Sequence, residues 1–303
     1  MLLGRAAIYF DEVARRGGLR RAADVLHIAP SAVDRQIIQL EEELGTKLFE
    51  RTPTGMRMTA AGELLIDSVR RWRRDLQRVR SEIDNLVGLR RGQVSIAMVE
   101  GAVELVAGAI EVFQKKYPAI QFNLNVYGAQ AVIEQVLAAE VDFGITFNAP
   151  DNPTIRIDRT LIYDLGIVVR PDHPLAGKES VALTECAEFP QILPSEALSL
   201  KRVLDRAWSR NLGGQPRGVA EASSIDMIKA LALRGIGIGW LTSISALREI
   251  ETGSLIFVPL EDQNVDLFTF SIVSASGRTL SHPASLMIHQ LEQAMEEQGV
   301  PVI

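Results

Sequence analysis

The chain has 303 residues, of which 47% are apolar and 23% charged, a balance typical of a globular protein with two or three domains. The single cysteine, Cys186, excludes an internal disulfide, and the four histidines lack the spacing of metal ligands, so we expect no metal and no cofactor. We find neither a secretory signal nor an apolar run long enough to span a membrane, and we expect a cytoplasmic protein with no membrane partner.

The charge is distributed unevenly along the chain. Taken as a whole, the net charge of −6 argues against a nucleic-acid-binding protein. Residues 1–90, however, hold 16 basic and 13 acidic side chains, a balance of +3, whereas the remainder holds 16 and 25, a balance of −9. We therefore expect a DNA-facing surface, if there is one, to lie in the first 90 residues.

The first 44 residues predict three helices. The first covers about residues 3–16, where apolar side chains share one face, and Gly17-Gly18 ends it. Residues 19–40 form two short amphipathic helices, and the small residues Ala22 and Ala23 suit the place where they cross. The later helix carries one apolar stripe, formed by Val33, Ile37, Leu40 and Leu44. This is the pattern of a helix-turn-helix, whose second helix enters the major groove of DNA.

Two short extended pieces follow, around a polar loop that contains proline and glycine. Gly45 turns the chain into the first piece, at residues 47–51, and the loop over residues 52–58 leads into residues 59–62. These features predict a winged variant of the helix-turn-helix. Arg51 and Arg57 are placed to contact the DNA backbone or the minor groove.

A long helix is predicted from Glu63 to about residue 89. Its apolar residues recur at alternating spacings of four and three, as in a coiled-coil seam, and they are Leu65, Val69, Trp72, Leu76, Val79, Ile83 and Leu86. We expect this seam to hold two copies of the chain together. The arginines at 70, 71, 73 and 74 are interpreted as a solvated face, and residues 90–92 as a hinge.

Beyond the hinge, strands and helices alternate, which predicts an α/β domain with a mainly parallel sheet. The first part holds strands over 94–99, 121–126 and 141–147 and helices over 103–116 and 131–139. A long strand over 161–170 ends at Pro171-Asp172-His173-Pro174, which we interpret as the crossing into a second lobe. That lobe holds strands over 191–193, 218–221 and 236–241 and helices over 200–210 and 225–234. A strand over 265–273 and a helix over 283–297 follow, and we expect the helix to return to the first lobe, so that two lobes enclose a cleft, as in periplasmic-type binding proteins.

No constellation of residues in the sequence predicts catalysis. The glycines at 235, 237 and 239 do not match the dinucleotide-binding motif GxGxxG. The third glycine comes one residue early, and an apolar strand follows where the motif requires a helix. Glu100 and Glu104 bracket a helix start, where a capping role fits better than acid–base catalysis. We assign no catalytic residues. An enzyme acting on a small acid stays the rival function, because the two-lobed fold hosts some catalysts.

With these elements in place, the chain resembles the LysR-type transcriptional regulators over essentially all of its length. The resemblance is densest over residues 10–65, in the segments Ala22-Ala23, Arg35-Gln36-Ile37, Leu40-Glu41, Leu44-Gly45, Leu48-Phe49-Glu50-Arg51 and Thr59-Ala60-Ala61-Gly62. It implies a homodimer or homotetramer that binds double-stranded promoter DNA and senses a small-molecule effector in its C-terminal domain. RNA polymerase is a further candidate partner.

The resemblance also assigns DNA contacts by position. It places Pro30, Ser31, Asp34 and Arg35 at the major groove and Arg51 at the wing contact. The family often has Ser then Gln where this chain has Ala29 and Pro30, and Pro30 cannot hydrogen-bond to a base edge. Where the family commonly has Ser, Asp34 either accepts a hydrogen bond from a cytosine amino group or pairs with Arg35, and both alternatives stay open.

The predicted architecture is an α/β fold with an all-α N-terminal part. A winged helix-turn-helix covers residues 1–62, a coiled-coil linker helix with its hinge covers 63–91, and a two-lobed, periplasmic-binding-protein-like effector domain covers 92–303. Lobe 1 takes about 92–165 and 270–303, and lobe 2 about 166–269.

By the family's layout, the effector lies between the lobes, where strand ends and helix starts meet. The predicted lining is Glu100, Gly101, Ala102, Thr146, Phe147, Ser195, Ser223 and Trp240, with Trp240 placed at the cleft wall in preference to the core. Hydroxyls and helix N-termini suit a small organic acid, and an inward-facing Glu100 favours one that also bears an amine or a hydroxyl. The alternative is a regulator with a vestigial cleft, controlled by DNA occupancy alone.

Overall fold

A computed structural model describes residues 4–53, 55–86, 92–261 and 268–297. The chain divides into two compact units, Met1–Val87 and Gly88–Ile303. None of the described helices is both long enough and apolar enough to cross a membrane.

The first unit is a winged helix-turn-helix followed by one long helix. Its elements are α1 (Arg5–Arg16), α2 (Leu19–Leu26), α3 (Pro30–Leu44), β1 (Phe49–Thr52), β2 (Gly55–Met58) and α4 (Ala60–Leu86). Gly17 ends α1 in the left-handed conformation, at φ 64°, and its N–H donates to the carbonyl of Val13 at 2.9 Å. Pro30 begins α3, where a missing N–H costs nothing because that group would have no partner within the helix.

The helix periodicity predicted the core of this unit well. Ala22 and Ala23 are buried at the crossing of α2 with its neighbours, and the stripe on α3 is buried at Val33 and Ile37. The stripe ends earlier than predicted, because Leu44 is exposed and the buried residue near the end of α3 is Glu41.

The wing differs from the prediction in its second strand. β1 and β2 form a two-stranded antiparallel hairpin in which Phe49 lies opposite Met58, so the predicted loop contains β2. The N–H of Met56 donates to the carbonyl of Gly17 at 3.0 Å, and a Cβ at Gly55 would come within 2.3 Å of that same oxygen. Residues 60–62, predicted as extended, form the first turn of α4. Thr59 caps this turn, because its Oγ1 accepts from the N–H of Gly62 at 3.1 Å.

The predicted seam on α4 is divided between two environments. Val69 is buried and Leu65 is partly buried, and both pack against the core of the helix-turn-helix, so these two side chains face their own chain. The seam continues with Trp72, Val79 and Ile83, which are 56%, 40% and 53% exposed.

Two residues of the predicted seam remain, Leu76 and Leu86. Leu76 is half-buried. The side chain of Leu86, like the predicted hinge at 90–91, lies outside the described residues.

The second unit contains two five-stranded sheets, which define its lobes. The sheet of lobe 1 has the order β4-β3-β5-β12-β6, with β3 parallel to β4 and β5, and with β12 antiparallel to both of its neighbours. Its strands are β3 (Gly92–Met98), β4 (Ile120–Val126), β5 (Phe143–Phe147), β6 (Ile155–Tyr163) and β12 (Phe268–Ala275). Its helices are α5 (Val103–Lys116), α6 (Ala129–Leu137) and the C-terminal α11 (His282–Glu297), which packs against α5 and β3 as expected.

The sheet of lobe 2 has the order β11-β7-β10-β8-β9. β8 is parallel to β9 and β10, while β7 runs antiparallel to β10 and β11. The strands are β7 (Leu165–Val169), β8 (Gln191–Pro194), β9 (Ala220–Ala222), β10 (Ile238–Thr242) and β11 (Ile256–Pro259). The helices are α7 (Leu183–Cys186), α8 (Leu200–Asn211), α9 (Ile225–Leu233) and α10 (Leu247–Glu251).

The chain crosses between the lobes earlier than the Pro171-Asp172-His173-Pro174 segment. The single long strand predicted there is two strands, and Asp164 separates β6 in lobe 1 from β7 in lobe 2. The predicted two-lobed α/β fold behind a helical N-terminal part is confirmed. The crossing segment is corrected to Asp164, which lies next to the lobe boundary predicted between residues 165 and 166.

Candidate functional site

The recognition helix α3 presents polar side chains at its start. Pro30, Ser31 and Arg35 are exposed there, whereas Asp34 is only partly exposed. These four residues were predicted to face the major groove, and the structure places them on the first two turns of one helix.

Asp34 pairs with the wing instead of with its neighbour Arg35. The Nη2 of Arg51 on β1 donates to Oδ1 of Asp34 at 2.5 Å, and the Arg51 side chain is still 62% exposed. The pairing with Arg35, one of the two alternatives from the sequence, is therefore not the one in the structure. The pair joins the recognition helix to the first strand of the wing.

A second ion pair lies across the wing itself. The Nη2 of Arg57 on β2 donates to Oε2 of Glu50 on β1 at 2.6 Å, and both side chains are well exposed. The hydrogen bond with Glu50, together with its charge, raises the pKa of the already basic Arg57. Both arginines predicted for the wing thus lie on its surface as cations.

Glu41 fixes the wing to the recognition helix. Its Oε1 accepts from the N–H groups of Leu48 and Phe49 at 2.9 and 3.3 Å, and its Oε2 accepts from Nζ of Lys47 at 2.6 Å. Burial alone would raise the pKa of this carboxyl, but the hydrogen bonds from Lys47 and the two backbone groups outweigh it, so the pKa is lowered.

We expect Glu41→Gln to destabilise the first unit at neutral pH. The variant should then lose less of its stability than the wild type as the pH falls. A lowered pKa stabilises the fold above the carboxyl's ordinary value of 4.5, and this contribution disappears as the pH falls through the folded-state pKa. Hydrogen exchange of the β1 amides in the full chain, at pH 7 and near pH 4, measures the effect. Glu42→Gln, at the exposed neighbouring residue, is the control, and equal protection in the two variants would contradict this role for Glu41.

Asp11 connects the helix-turn-helix to α4. It is only 3% exposed, and its carboxylate contacts the guanidinium groups of Arg15 on α1 and of Arg70 and Arg73 on α4. The Nε of Arg70 lies 3.3 Å from Oδ1 of Asp11, and Arg73 reaches Oδ2. The interpretation of this basic run as a solvated face is therefore wrong for Arg70 and Arg73.

A cavity of about 270 Å³ lies between the two lobes of the second unit. Four of the eight residues predicted to bind an effector line it, namely Glu100, Gly101, Phe147 and Ser223. The other described lining residues are Val99, Val126, Tyr127, Gly128, Ala129, Ala197, Leu198, Ser199, Leu200, Ile225, Thr242, Ser245 and Phe268.

The other four predicted residues do not line the cavity. Trp240 is fully buried in lobe 2, where its Nε1 donates to Oε1 of Gln191 at 3.1 Å and its ring meets that of Trp208 edge-on. The placement of Trp240 at the cleft wall is therefore corrected to the core. Thr146 is also fully buried, within β5.

Ala102 and Ser195 lie close to the cavity along the chain without lining it. Ala102 is buried behind Gly101 at the start of α5. The N–H of Ser195 donates to the carbonyl of Ala222 at 2.9 Å, and its Oγ accepts from Ala197, so its polar groups serve the loop.

The sequence missed the lining residues at and after the ends of β4 and β10. Tyr127, Gly128 and Ala129 come directly after β4, and Thr242 and Ser245 lie at the end of β10, with their hydroxyl oxygens 3.0 Å apart. The rule that ligands lie beyond the carboxyl ends of strands points to these residues once the strand ends are known. Within the described ranges, no group of three His, Cys, Asp or Glu side chains is arranged to hold a metal.

Comparisons with known proteins identify the family. The family model described as "Bacterial regulatory helix-turn-helix protein, lysR family" matches residues 5–63, and the model "LysR substrate binding domain" matches residues 88–296. Among curated proteins, the chain is similar to the RuBisCO operon transcriptional regulator of Allochromatium vinosum, at 26% identity over 83% of each chain. It is also similar to GltC, a transcriptional dual regulator of Bacillus subtilis, at 29% identity over 91% of this chain and 92% of that protein.

Solved structures agree on the fold. Full-length CbnR in complex with its target DNA superimposes with a TM-score of 0.65 at 19% identity, over 96% of this chain and 99% of that one. The two family models together match most of the chain, with a part in each unit, and the curated relatives are transcriptional regulators. The chain therefore belongs to the LysR family and is a DNA-binding transcriptional regulator, not an enzyme.

Proposed function

We propose that α3 enters the major groove of promoter DNA while the wing contacts the backbone or the minor groove. The observation that carries this is the set of exposed guanidinium groups of Arg35, Arg51 and Arg57 on α3 and the wing. Guanidinium groups suit both phosphate oxygens and guanine edges. Residues 1–62 are thus the DNA-binding part, 63–91 the linker, and 92–303 the effector domain.

A gel-shift titration on the DNA between this gene and a divergently transcribed neighbour tests the proposal. We expect the full chain to retain that fragment in the presence of excess competitor DNA, since specific binding is typically about 10³ or more times tighter than non-specific binding. Equal affinity for the fragment and for an unrelated duplex would contradict promoter recognition there.

Arg35 and Arg51 are expected to contribute in different ways. Arg35→Ala removes a base-edge contact, so it is expected to cost about 1–3 kcal/mol of binding and to relax the choice of base at one position. Arg51→Ala removes a charge at the wing, so it is expected to weaken all sequences alike and to reduce the slope of log affinity against log salt by about one. Salt titrations on operators with single base changes distinguish the two effects.

The control for charge alone is Lys115→Ala, which removes an exposed cation of the second unit that pairs with Glu111. We expect it to leave both the base preference and the salt slope unchanged. Loss of base preference in Arg51→Ala, or a uniform loss in Arg35→Ala, would reverse the assignment.

We further propose a homodimer held by α4 from Trp72 onward, where Trp72, Val79 and Ile83 of the seam are exposed within one chain. Two-fold symmetry would then present two α3 helices to two half-sites. The proposed dimer could also associate into a tetramer, and it could contact RNA polymerase at the promoter. Since such a protein acts where the DNA is, we place it in the cytoplasm.

The cavity between the lobes is proposed as the effector site, occupied by a small molecule that changes how the lobes close. A ligand that binds one arrangement better shifts the equilibrium toward it, and DNA binding follows. The alternative is a vestigial cleft. A thermal-shift screen separates the two, because only a sensing cavity gives compounds that raise the unfolding temperature and also alter the gel shift.

A further inference from the structure

Glu100 reaches from lobe 1 to the start of a helix in lobe 2. It lies just after β3, and its Oε1 accepts from Oγ of Ser224 at 2.8 Å and from the N–H of Asp226 at 3.0 Å. Its Oε2 accepts from the N–H of Ile225 at 2.9 Å. These groups form the N-terminus of α9, so one side chain of lobe 1 satisfies the first free N–H groups of a helix in lobe 2.

The start of a helix attracts anions because its first N–H groups have no partner within the helix and the helix dipole is positive there. In a two-lobed fold, such a helix start beside the cleft is a suitable place for the carboxylate of a bound acid. In this chain the anion at α9 is the protein's own. Ser224 also caps this helix start, because its Oγ accepts from the N–H of Met227 at 3.4 Å.

The adjoining cavity has no cation for a second carboxylate. Among its described lining residues there is no Lys, Arg or His, and the only carboxylate is Glu100 itself. Much of the lining is apolar, including Phe147, Ile225 and Phe268, and its other polar side chains are hydroxyls, such as those of Ser223 and Thr242. A carboxylate ligand would meet the like charge of Glu100 there, and no side-chain cation among the described lining residues would balance it.

We propose that Glu100 takes the place of a ligand's acid group, so that the cavity binds a small uncharged molecule with an apolar body and an amide or hydroxyl donor. Glu100 already accepts three hydrogen bonds, and a carboxylate has about four acceptor sites, so one site remains for such a donor. The cavity of about 270 Å³ exceeds the roughly 150 Å³ that holds one benzene, so a substituted ring fits. This inference rests on the proposed effector site and replaces the small organic acid expected from the sequence.

The test compares matched ring compounds on the full-length chain. By calorimetry, we expect the wild-type chain to bind benzamide and benzyl alcohol in the roughly millimolar range typical of fragments, and to bind benzoate at least about tenfold more weakly. Glu100→Ala vacates the start of α9 and should gain benzoate binding by about tenfold or more. Benzoate binding in the wild type equal to that of benzamide, or no binding of either neutral probe, would overturn the proposal.

A second measurement does not depend on an aromatic probe. Hydrogen exchange of the first amides of α9 should speed up in Glu100→Ala and slow again when acetate is added, because acetate restores a carboxylate at the vacated position. Glu104→Gln, an exposed carboxylate four residues further along, is the matched control and should change neither result. Fast exchange in Glu100→Ala that acetate does not slow would contradict the placement of a carboxylate there.

The proposed effector site and the inference about Glu100 would fail in different experiments. If benzamide binds and benzoate does not, yet the gel shift is unaffected by benzamide, then the inference about Glu100 stands and the effector function of the cavity fails. If benzoate binds the wild-type chain well and alters the gel shift, the cavity is an effector site and the inference about Glu100 fails.

Discussion

Replacing Asp11 with alanine is expected to destabilise the first unit by about 3 kcal/mol, at the lower end of the range for breaking a buried ion pair. The Asp11 side chain is 4% exposed, and its replacement removes the carboxylate shared by the guanidinium groups of Arg15, Arg70 and Arg73. Those groups are between 21% and 39% exposed, so water compensates them in part, which is why we expect the lower end. The effect should appear at the contact between α1 and α4.

Hydrogen exchange of the full-length chain measures this locally, because it reports separately on peptides from α1, α4 and the second unit. Asp11→Ala should lower the protection of the α1 and α4 peptides together and leave the sheets of the second unit unchanged. The control is Glu12→Ala, which removes the pair with Arg16 at 2.8 Å on the same helix. Because the Arg16 side chain is 51% exposed, this pair is expected to contribute about 0.2–1 kcal/mol. Equal effects at the two positions would mean that Asp11 does not link the helices.

The helical part of the fold could be predicted from the sequence because one face of each helix is buried. Ala22, Ala23, Val33 and Ile37 recur with helical spacing, and all four are buried as expected. The same logic misassigned Leu65 and Val69. A heptad spacing marks an apolar stripe, but it does not say whether the stripe packs on a partner or on its own domain.

The strands of the second unit gave less information, because many are buried on both faces. All five residues of β10 are buried, and so are all five of β5, so no alternation shows which side chains face the cleft. Trp240 and Thr146 were placed at the cleft on their position at strand ends, and the fold turns both inward. The crossing segment was placed at Pro171-Asp172-His173-Pro174, although the predicted lobe boundary between 165 and 166 lies next to Asp164, because one polar residue inside an apolar run does not mark a change of sheet.

The contacts that could not be predicted from the sequence join residues that lie far apart along the chain. Asp11 lies about 60 positions from Arg70 and Arg73, and Glu100 more than 120 from the start of α9. The spacing of residues along the chain carries no signal for such pairs, whereas the local helix-turn-helix pattern does. Four of the eight predicted lining residues were found from strand ends. Glu100 and Gly101 lie just after β3, Phe147 ends β5, and Ser223 follows β9.

Leu76→Asp is expected to separate the proposed dimer and to abolish operator binding at concentrations where the wild type binds. Leu76 lies on the seam between Trp72 and Val79, both exposed within one chain, so a partner helix would bury them together. Burial of a large apolar side chain contributes about 1.5–3 kcal/mol, and the two-fold axis makes each loss count twice. The dimer dissociation constant should therefore rise by roughly two to four powers of ten.

Sedimentation velocity over a concentration series, paired with footprinting, checks this result. Leu64→Asp is the matched control, because it makes the same substitution on the same helix at a leucine that is 75% exposed and off the seam. It should leave both the dimer and the footprint intact. A monomer would carry only one α3. In the footprint of Leu76→Asp, protection of one DNA half-site should therefore be lost before protection of the other. A Leu76→Asp chain that sediments as a dimer and protects both half-sites at the wild-type concentration would place the dimer contact elsewhere than on α4.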